Sequence, residues 1–426
     1  MAETLTFIHA SDIHIGAPFR GLRALSDDWG SRLYDAIPQA WDRVVDAAVD
    51  RRVDFVVVAG DIFDSVRASY RDYRRFFQGL WRLDEQGIPT YLCTGNHDPL
   101  SSWQQDFFAL PPSATMLAAD RPDFALYERN GRPLAIIAGR GYPNKVWSSN
   151  ENIAAGITRD AALAFLGPRA AEAPFAVGVL HTGLNLDPVK APTDPRALLR
   201  AGLDYWALGH IHRRTVNDPR DPRVVFSGCI QGRDVRETGP RGVYEVRLTE
   251  GAPVQLTFIP TASVVWEQLE VDVSGCSNIP ELVSQVMREQ FAANGDDACE
   301  MMVTRITLVG ATPLHEVLNR PGVLEEVRGT LNEAYSEFYC DALIDRTRRP
   351  LDEEALRAEG LFPAVFLRSV DVARSDPARQ IDYVQEEFLA RNLPMLSSLS
   401  EKRVARLTDE AASLVLDLLV QGDDAR

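Results

Sequence analysis

Five short apolar runs in the first half of the chain are each followed at once by Asp, His or Asn, and this pattern restricts the fold more than any other. Residues 5–9 lead into Asp12-Ile13-His14. The run 54–59 (DFVVVA) leads into Gly60-Asp61-Ile62-Phe63-Asp64, and 89–93 into Gly95-Asn96-His97-Asp98. Residues 175–180 lead into His181, and 205–208 into Gly209-His210-Ile211-His212. Apolar, β-branched runs without alternation read as strands buried on both faces. Between them lie helical patterns: Trp41, Val44, Val45 and Ala48 share a stripe, and 69–85 reads as a helix. Strands alternating with helices predict an α/β fold of layered sheets. Further strands are expected at 134–138, 204–208, 223–227, 242–248 and 254–259. The last of these are separated only by turns, so part of the sheet region is expected to be antiparallel.

In open α/β sheets, ligands bind beyond the carboxyl ends of the strands. Five strand ends therefore bring carboxylates, imidazoles and an amide toward one place. The chain has seven histidines, and His14, His97, His181, His210 and His212 all lie in these segments. Oxygen and imidazole donors together suit divalent Mn, Fe or Zn better than Ca. No cysteine is expected near the site, which argues against a structural zinc. In an extended D-x-H or H-x-H, both members face the same side. A glycine before Asp61, Asn96 and His210 admits tight turns and close backbone approach. A carboxylate such as Asp61 can bridge two ions about 3.5–4 Å apart, a clamp suited to in-line phosphoryl displacement. His9 is read as a structural residue beside the site, and His315 as an ordinary histidine.

The pattern changes near position 261. Strands are expected at 264–273, 300–309 and 338–344, with helices at 279–293 and 322–336. This gives three parts: a catalytic domain at 1–261, a small α+β capping domain at 262–345, and a linker with a helical C-terminal segment at 346–426. Residues 345–350 (DRTRRP) read as the start of the linker. Leu407, Ala411, Leu414 and Leu418 form an apolar stripe in the last helix, expected either to pack on the core or to dock a protein partner. The net charge of −16 is uneven, −2 up to position 261 and −14 beyond it. That excludes wholesale electrostatic attraction of the second part to nucleic acid. The five cysteines form no C-x-x-C pair and read as free thiols of a cytoplasmic protein. Neither a membrane span nor a secretion signal is expected.

The ordered set D-x-H, G-D-x-x-D, G-N-H-D, H and G-H-x-H resembles the calcineurin-like metallophosphoesterase superfamily. FIHASDIHIGAPF (7–19), DYWALGHIH (204–212) and VVFSGCIQGR (224–233) are similar to SbcD-type DNA repair exonucleases, most of all their YhaO branch. The resemblance covers about 4–260 and extends loosely to 264–345. It implies a layered β-sandwich core and two divalent ions, Mn²⁺ foremost, with Fe²⁺ or Zn²⁺ as alternatives. It implies Asp12, His14, Asp61 and His212 as ligands of one ion, and Asp61, Asn96, His181 and His210 as ligands of the other. His97 would stabilise the transition state and protonate the leaving oxygen, with Asp98 orienting it. Some relatives carry a histidine where this chain has Asp64. DNA as substrate, an ATPase partner of the SbcC or YhaN kind and a homodimer are further implications.

The leading expectation is a metal-dependent DNA exonuclease or endonuclease subunit. One alternative is a phosphoesterase acting on a small or protein-bound phosphate. Another is a subunit that mainly docks an ATPase and has weak activity of its own.

Overall fold

A computed structural model of the chain describes residues 2–19, 27–64, 68–104, 106–295, 300–350, 352–358, 360, 362–391 and 399–424. It divides into two compact units. The first comprises Met1–Gln268, Asn294–Thr304 and Glu337–Asp341, and the second Leu269–Ala293, Arg305–Ser336 and Ala342–Arg426.

In chain order the first unit runs β1 (Thr4–Ala10), α1 (Asp27–Asp50), β2 (Phe55–Ala59), α2 (Tyr70–Glu85), β3 (Thr90–Cys93), β4 (Ala114–Met116), β5 (Asp123–Arg129) and β6 (Arg132–Arg140). It continues through α3 (Arg159–Leu166), β7 (Phe175–His181), α4 (Pro195–Arg200), β8 (Tyr205–Gly209), β9 (Thr215–Val216), β10 (Val224–Phe226), β11 (Gly242–Thr249) and β12 (Gln255–Pro260). Two six-stranded sheets result, in the orders β12-β11-β1-β2-β3-β4 and β5-β6-β7-β8-β10-β9. Strands β1, β2 and β3 are parallel, as are β6, β7 and β8. Strand β11 is antiparallel to both β1 and β12, the mixed character expected from the late strands.

Side-chain alternation dictates the layers. Along β2, Val56 and Val58 turn to α1 and α2, where Trp41, Val44, Phe76 and Leu80 cover them. Phe55 and Val57 turn the other way and meet Val177, Val179, Tyr205 and Ala207 of the second sheet. The far face of that sheet, with Ile136, Ala138, Trp206 and Leu208, is covered by Ala162 of α3 and Leu198 of α4. Each fully buried aliphatic or aromatic side chain contributes about 1.5–3 kcal/mol, so strands this apolar on both faces are stable only between two layers. Helix α2 begins where its sequence says: Ser69 is the N-cap and forms a reciprocal capping box with Asp72.

Strands β13 (Val264–Asp272), β14 (Met301–Ala311) and β15 (Phe338–Arg348) form a third sheet in that order, with α5 (Ile279–Asn294), α6 (His315–Leu318) and α7 (Val323–Ala334) in the connections. β15 runs to Arg348, so most of the expected linker at 345–350 is strand. Its end, Asp345-Arg346-Thr347-Arg348, belongs to an edge strand, whose polar alternation looks like a linker in sequence. The second unit closes with α8 (Glu353–Ala358), α9 (Phe362–Ser375), α10 (Pro377–Ala390) and α11 (Glu401–Asp424). In α11 the buried residues are Val404, Ala412 and Leu416, whereas Leu407 and Leu414 of the expected stripe are 47% and 61% exposed. The side chain of Leu418 lies outside the described residues. No helix among the described residues is long and apolar enough to cross a membrane.

Candidate metal centre

The carboxyl ends of β1, β2, β3, β7 and β8 converge, and all seven expected ligands meet there. The loops after β1 and β2 run side by side: Asp12 N–H donates to Gly60 O (3.1 Å), His14 N–H to Asp61 O (2.9 Å) and Ile15 N–H to Ile62 O (2.9 Å). Asp12, His14, Asp61 and His210 all have positive φ, at 50°, 53°, 52° and 103°. For non-glycine residues this backbone strain costs about 1–3 kcal/mol each and concentrates at functional sites. Two glycines are required by close approach. A Cβ on Gly95 would lie 2.2 Å from Asp61 Oδ1, and one on Gly209 would lie 1.9 Å from Ala59 O.

Three imidazoles are each tethered from outside at one nitrogen. His181 Nδ1 lies 3.0 Å from Ala59 O, His210 Nε2 lies 3.1 Å from Asp187 Oδ2, and His212 Nδ1 lies 2.5 Å from Glu237 Oε1. The other nitrogen of each faces inward. His181 Nε2 and His210 Nδ1 are both 3.1 Å from Asn96 Oδ1. His212 Nε2 is 3.1 Å from His14 Nε2 and 3.8 Å from Asp12 Oδ1. Asp61 Oδ2 sits between the two halves, 3.6 Å from His14 Nε2 and 3.3 Å from His181 Nε2. An outer acceptor that fixes the tautomer and leaves the inner lone pair free is how metal-binding histidines are held. Asp12, His14 and His212 form one close donor set, and Asp12, Asp61 and His181 another. Asp12 is thus common to both sets, while Asp61 lies between His14 and His181. The donors fit divalent cations.

Electrostatics agree. Burial pushes Asp61 up, but the fields of His181 and His14 outweigh it and hold the carboxyl well below its usual range. Burial pulls His181 down, yet the Asp61 carboxylate raises it overall. Burial and the nearby Arg233 charge lower His14. Burial also opposes a charge on His212, but the bond to Glu237 and the Asp12 carboxylate raise it.

His97 stands apart from the inward-facing set. Its backbone N–H donates to Asp61 Oδ1 (2.8 Å), while its ring, about a third exposed, has Nδ1 3.8 Å from Asp64 Oδ1 and packs edge-on to His14. Asp98 does not orient this ring as expected. Its carboxylate accepts from backbone N–H groups: Oδ1 from Gly95 (2.8 Å), Oδ2 from Ile62 (2.9 Å) and Phe63 (3.4 Å). It ties the loop carrying Asp61 to the loop carrying Asn96. Adjacency in sequence suggested contact with His97, but the turn sends the two side chains apart. The expectation of no cysteine near the site is also corrected. Buried Cys229 lies beside His212 and Glu237, brought there by a bridge between Ser11 and Cys229, and burial pushes its thiol up. His9 is structural, as expected, bonding Tyr205 and the Leu208 carbonyl. Asp187 and Glu237 were not singled out in the sequence: each lies in an irregular loop, 23 and 25 positions from its histidine. No spacing motif marks such a pair.

The model for calcineurin-like phosphoesterases matches residues 5–214, and that for the middle domain of the metallophosphoesterase YhaO matches 266–362. The uncharacterized metallophosphoesterase YhaO of Bacillus subtilis is 32% identical over 340 residues, covering 78% of this chain and 77% of the relative. The chain belongs to the calcineurin-like metallophosphoesterase family. The DNA double-strand break repair protein Mre11 of Aeropyrum pernix is 25% identical over 294 residues, covering 67% of this chain and 68% of that one. The Mre11 of Archaeoglobus fulgidus is 22% identical over 378 residues, covering 82% of each. Members of this family of phosphoesterases bind divalent metals, and the cluster around Asp12 and Asp61 is the candidate site here.

Proposed function

We propose that this metallophosphoesterase holds two divalent ions, Mn²⁺ foremost, and hydrolyses phosphodiester bonds in DNA as a nuclease subunit in repair. The observation that carries the reading is the set of three outward-tethered imidazoles, His181, His210 and His212, facing Asp12, Asp61 and Asn96. Asp12, His14, Asp61 and His212 hold one ion, and Asp61, Asn96, His181 and His210 the other. When bound, such a pair activates water and neutralises charge on the attacking and leaving oxygens. The protein supplies the rest. Asp187 and Glu237 hold the outer nitrogens of His210 and His212 and so turn the inner nitrogens toward the cluster. Asp98 fixes the spacing of Asp61 and Asn96. His97, outside the ligand set and open to solvent, donates a proton to the leaving oxygen, with Asp64 aligning its Nδ1. The names of the Mre11 relatives favour DNA as the substrate.

The protein works in the cytoplasm, where its described cysteines, all buried and free, stay reduced. Its partner is an ATPase of the SbcC or YhaN kind, seated on the apolar faces of the last helices. In α9, Phe362, Val365 and Val372 lie on one side of the helix.

 The exposures are 62% for Phe362, 48% for Val365 and 65% for Val372, and Leu407 and Leu414 of α11 are similarly open. A helical face of this kind is what a partner groove or coiled coil reads.

The test is the purified full chain with Mn²⁺, assayed in parallel on end-labelled DNA, cyclic nucleotides and an aryl phosphodiester. The reading expects metal-dependent loss of the DNA label. Turnover of cyclic nucleotides alone would refute DNA as the substrate.

A further inference from the structure

Besides the two donor sets that share Asp12, a third group gathers around His212. A ring nitrogen of His212, Cys229 Sγ and a carboxylate oxygen of Glu237 all lie within 4.8 Å of one another. They come from three points of the chain. Cys229 follows β10, and its N–H donates to His212 O (3.0 Å), while a bridge pairs it with Ser11 just beyond β1. In the next loop a turn, Glu237 N–H to Asp234 O (2.8 Å), brings the Glu237 carboxylate back. Its Oε2 accepts from Arg233 N–H (2.8 Å) and its Oε1 faces His212 Nδ1. Cys229 is 1% exposed and lies in no disulfide. Its thiol makes no hydrogen bond among the described residues. Cys93, Cys276 and Cys340 belong to no such group among the described residues.

Thiolate, imidazole and carboxylate together are the donors of Zn²⁺, and a thiolate selects Zn²⁺ or its heavier congener Cd²⁺ over Mn²⁺. Zn–S bonds of about 2.3 Å and Zn–N or Zn–O bonds of about 2.0–2.2 Å place tetrahedral donors about 3.3–3.6 Å apart. His212 Nδ1 and Glu237 Oε1 are 2.5 Å apart, and the whole group spans no more than 4.8 Å. Side-chain shifts of about 1 Å therefore suffice to seat the ion. Three protein donors leave a fourth position for water. The approach is from solvent, where the His212 side chain is 26% exposed and that of Glu237 15%. A cysteine that served packing alone would need neither an imidazole nor a carboxylate beside its sulfur.

We propose that His212 Nδ1, Cys229 Sγ and Glu237 form a third metal site, selective for Zn²⁺, that competes with the inner cluster for His212. Binding releases the thiol proton to water. A neutral imidazole has one lone pair and one N–H. An ion on Nδ1 thus leaves the ring proton on Nε2, the nitrogen that faces His14 and Asp12. His212 then no longer serves the inner set, so Zn²⁺ at the outer site acts as a brake. The competition rests on the reading of His212 as an inner ligand, whereas the outer site stands on its own donors.

The test is titration of Cd²⁺, as the probe for Zn²⁺, into the full chain loaded with Mn²⁺, for the wild type and Cys229→Ser. Two quantities are read, the ultraviolet absorption band of a cadmium–thiolate bond and the Mn²⁺ that stays bound. The inner donors include no sulfur, so the band reports a cysteine ligand only. The wild type is expected to develop a band of about one thiolate per chain, and Cys229→Ser to lack it. A wild type without the band, or Cys229→Ser with the band undiminished, would overturn the proposal, the second by placing the ion on another cysteine. If Cys229→Ser does not fold, Cys229→Ala decides by the same criterion. As the band grows, the wild type should lose about one Mn²⁺ per chain that Cys229→Ser keeps at the same Cd²⁺; equal loss from both would overturn the competition for His212. A wild type that takes up no Mn²⁺ at the outset would sink the two-ion reading, and the band would still decide the outer site.

Discussion

Replacing Asp98 with alanine separates a residue that pins loops from one that takes part in chemistry. In the native loop pair, the carboxylate accepts from Gly95 N–H at 2.8 Å and Ile62 N–H at 2.9 Å, with Phe63 N–H at 3.4 Å. Asp98 is 1% exposed, so water does not readily replace it. Each orphaned buried N–H costs about 1–3 kcal/mol, so losing the two shorter bonds should destabilise the first unit by about 2–6 kcal/mol. At a urea slope of about 2–3 kcal/mol per molar, the unfolding midpoint should fall by about 0.7–3 M. Because the pinned loops carry Asp61 and Asn96, metal affinity should fall with it. Asp98→Asn keeps one acceptor oxygen and should lose about half as much. The assay is urea unfolding of the metal-free chain, followed by Mn²⁺ titration of the same variant. An unchanged midpoint and unchanged metal affinity, with only turnover lost, would refute the reasoning and return Asp98 to a role on the His97 ring.

His97→Ala should keep the metals and reduce turnover by about 10²-fold or more, the usual loss for a general acid; metal analysis beside kinetics checks this, and loss of the ions would make His97 a ligand. Glu237→Gln should weaken Mn²⁺ binding about 10- to 100-fold by releasing His212, as is usual for partners of metal-binding histidines, and calorimetry reads it directly. His9, lowered to about 3 by burial against the bond to Leu208 O, binds its proton in the unfolded chain but not in the folded one between that value and its ordinary pKa of about 6.5. Stability therefore falls as pH drops through this window, by about 2 kcal/mol between pH 6.5 and 4.5 from His9 alone. In His9→Gln that part of the slope should be absent from urea midpoints measured across the same range.

The site was legible in the sequence to the extent that it is written at strand ends. Asp12, Asp61, Asn96, His181 and His210 follow apolar runs directly, and parallel strands in two adjacent sheets deliver their carboxyl ends to one edge. The glycines before Asp61, Asn96 and His210 announced close approach, and at Gly95 and Gly209 a Cβ has no room. The supporting residues were not legible. Asp187 and Glu237 reach their histidines through loop conformation, which no periodicity encodes. Asp98 was misassigned because its neighbour in sequence is His97, whereas its hydrogen-bonding capacity is taken by backbone donors 35 and 36 positions away. In the fold, β5 escaped notice because most of its residues are only partly buried, which leaves little hydrophobic contrast. The three-residue β4 is too short to show a pattern. The end of β15 looked like a linker because an edge strand tolerates charge on its open side.

The account rests on a pair of ions held by one cluster, and the most direct measurement is their number. The full chain is stripped of metal, reconstituted with Mn²⁺, freed of excess and analysed by mass spectrometry of the element, beside Asp61→Ala. The account predicts about two ions per wild-type chain, the stoichiometry of a two-metal clamp, and loss of most of both in Asp61→Ala, because that carboxylate lies between His14 and His181. Fewer than about one ion per reconstituted wild-type chain, or an Asp61→Ala variant that keeps the full complement, would contradict it.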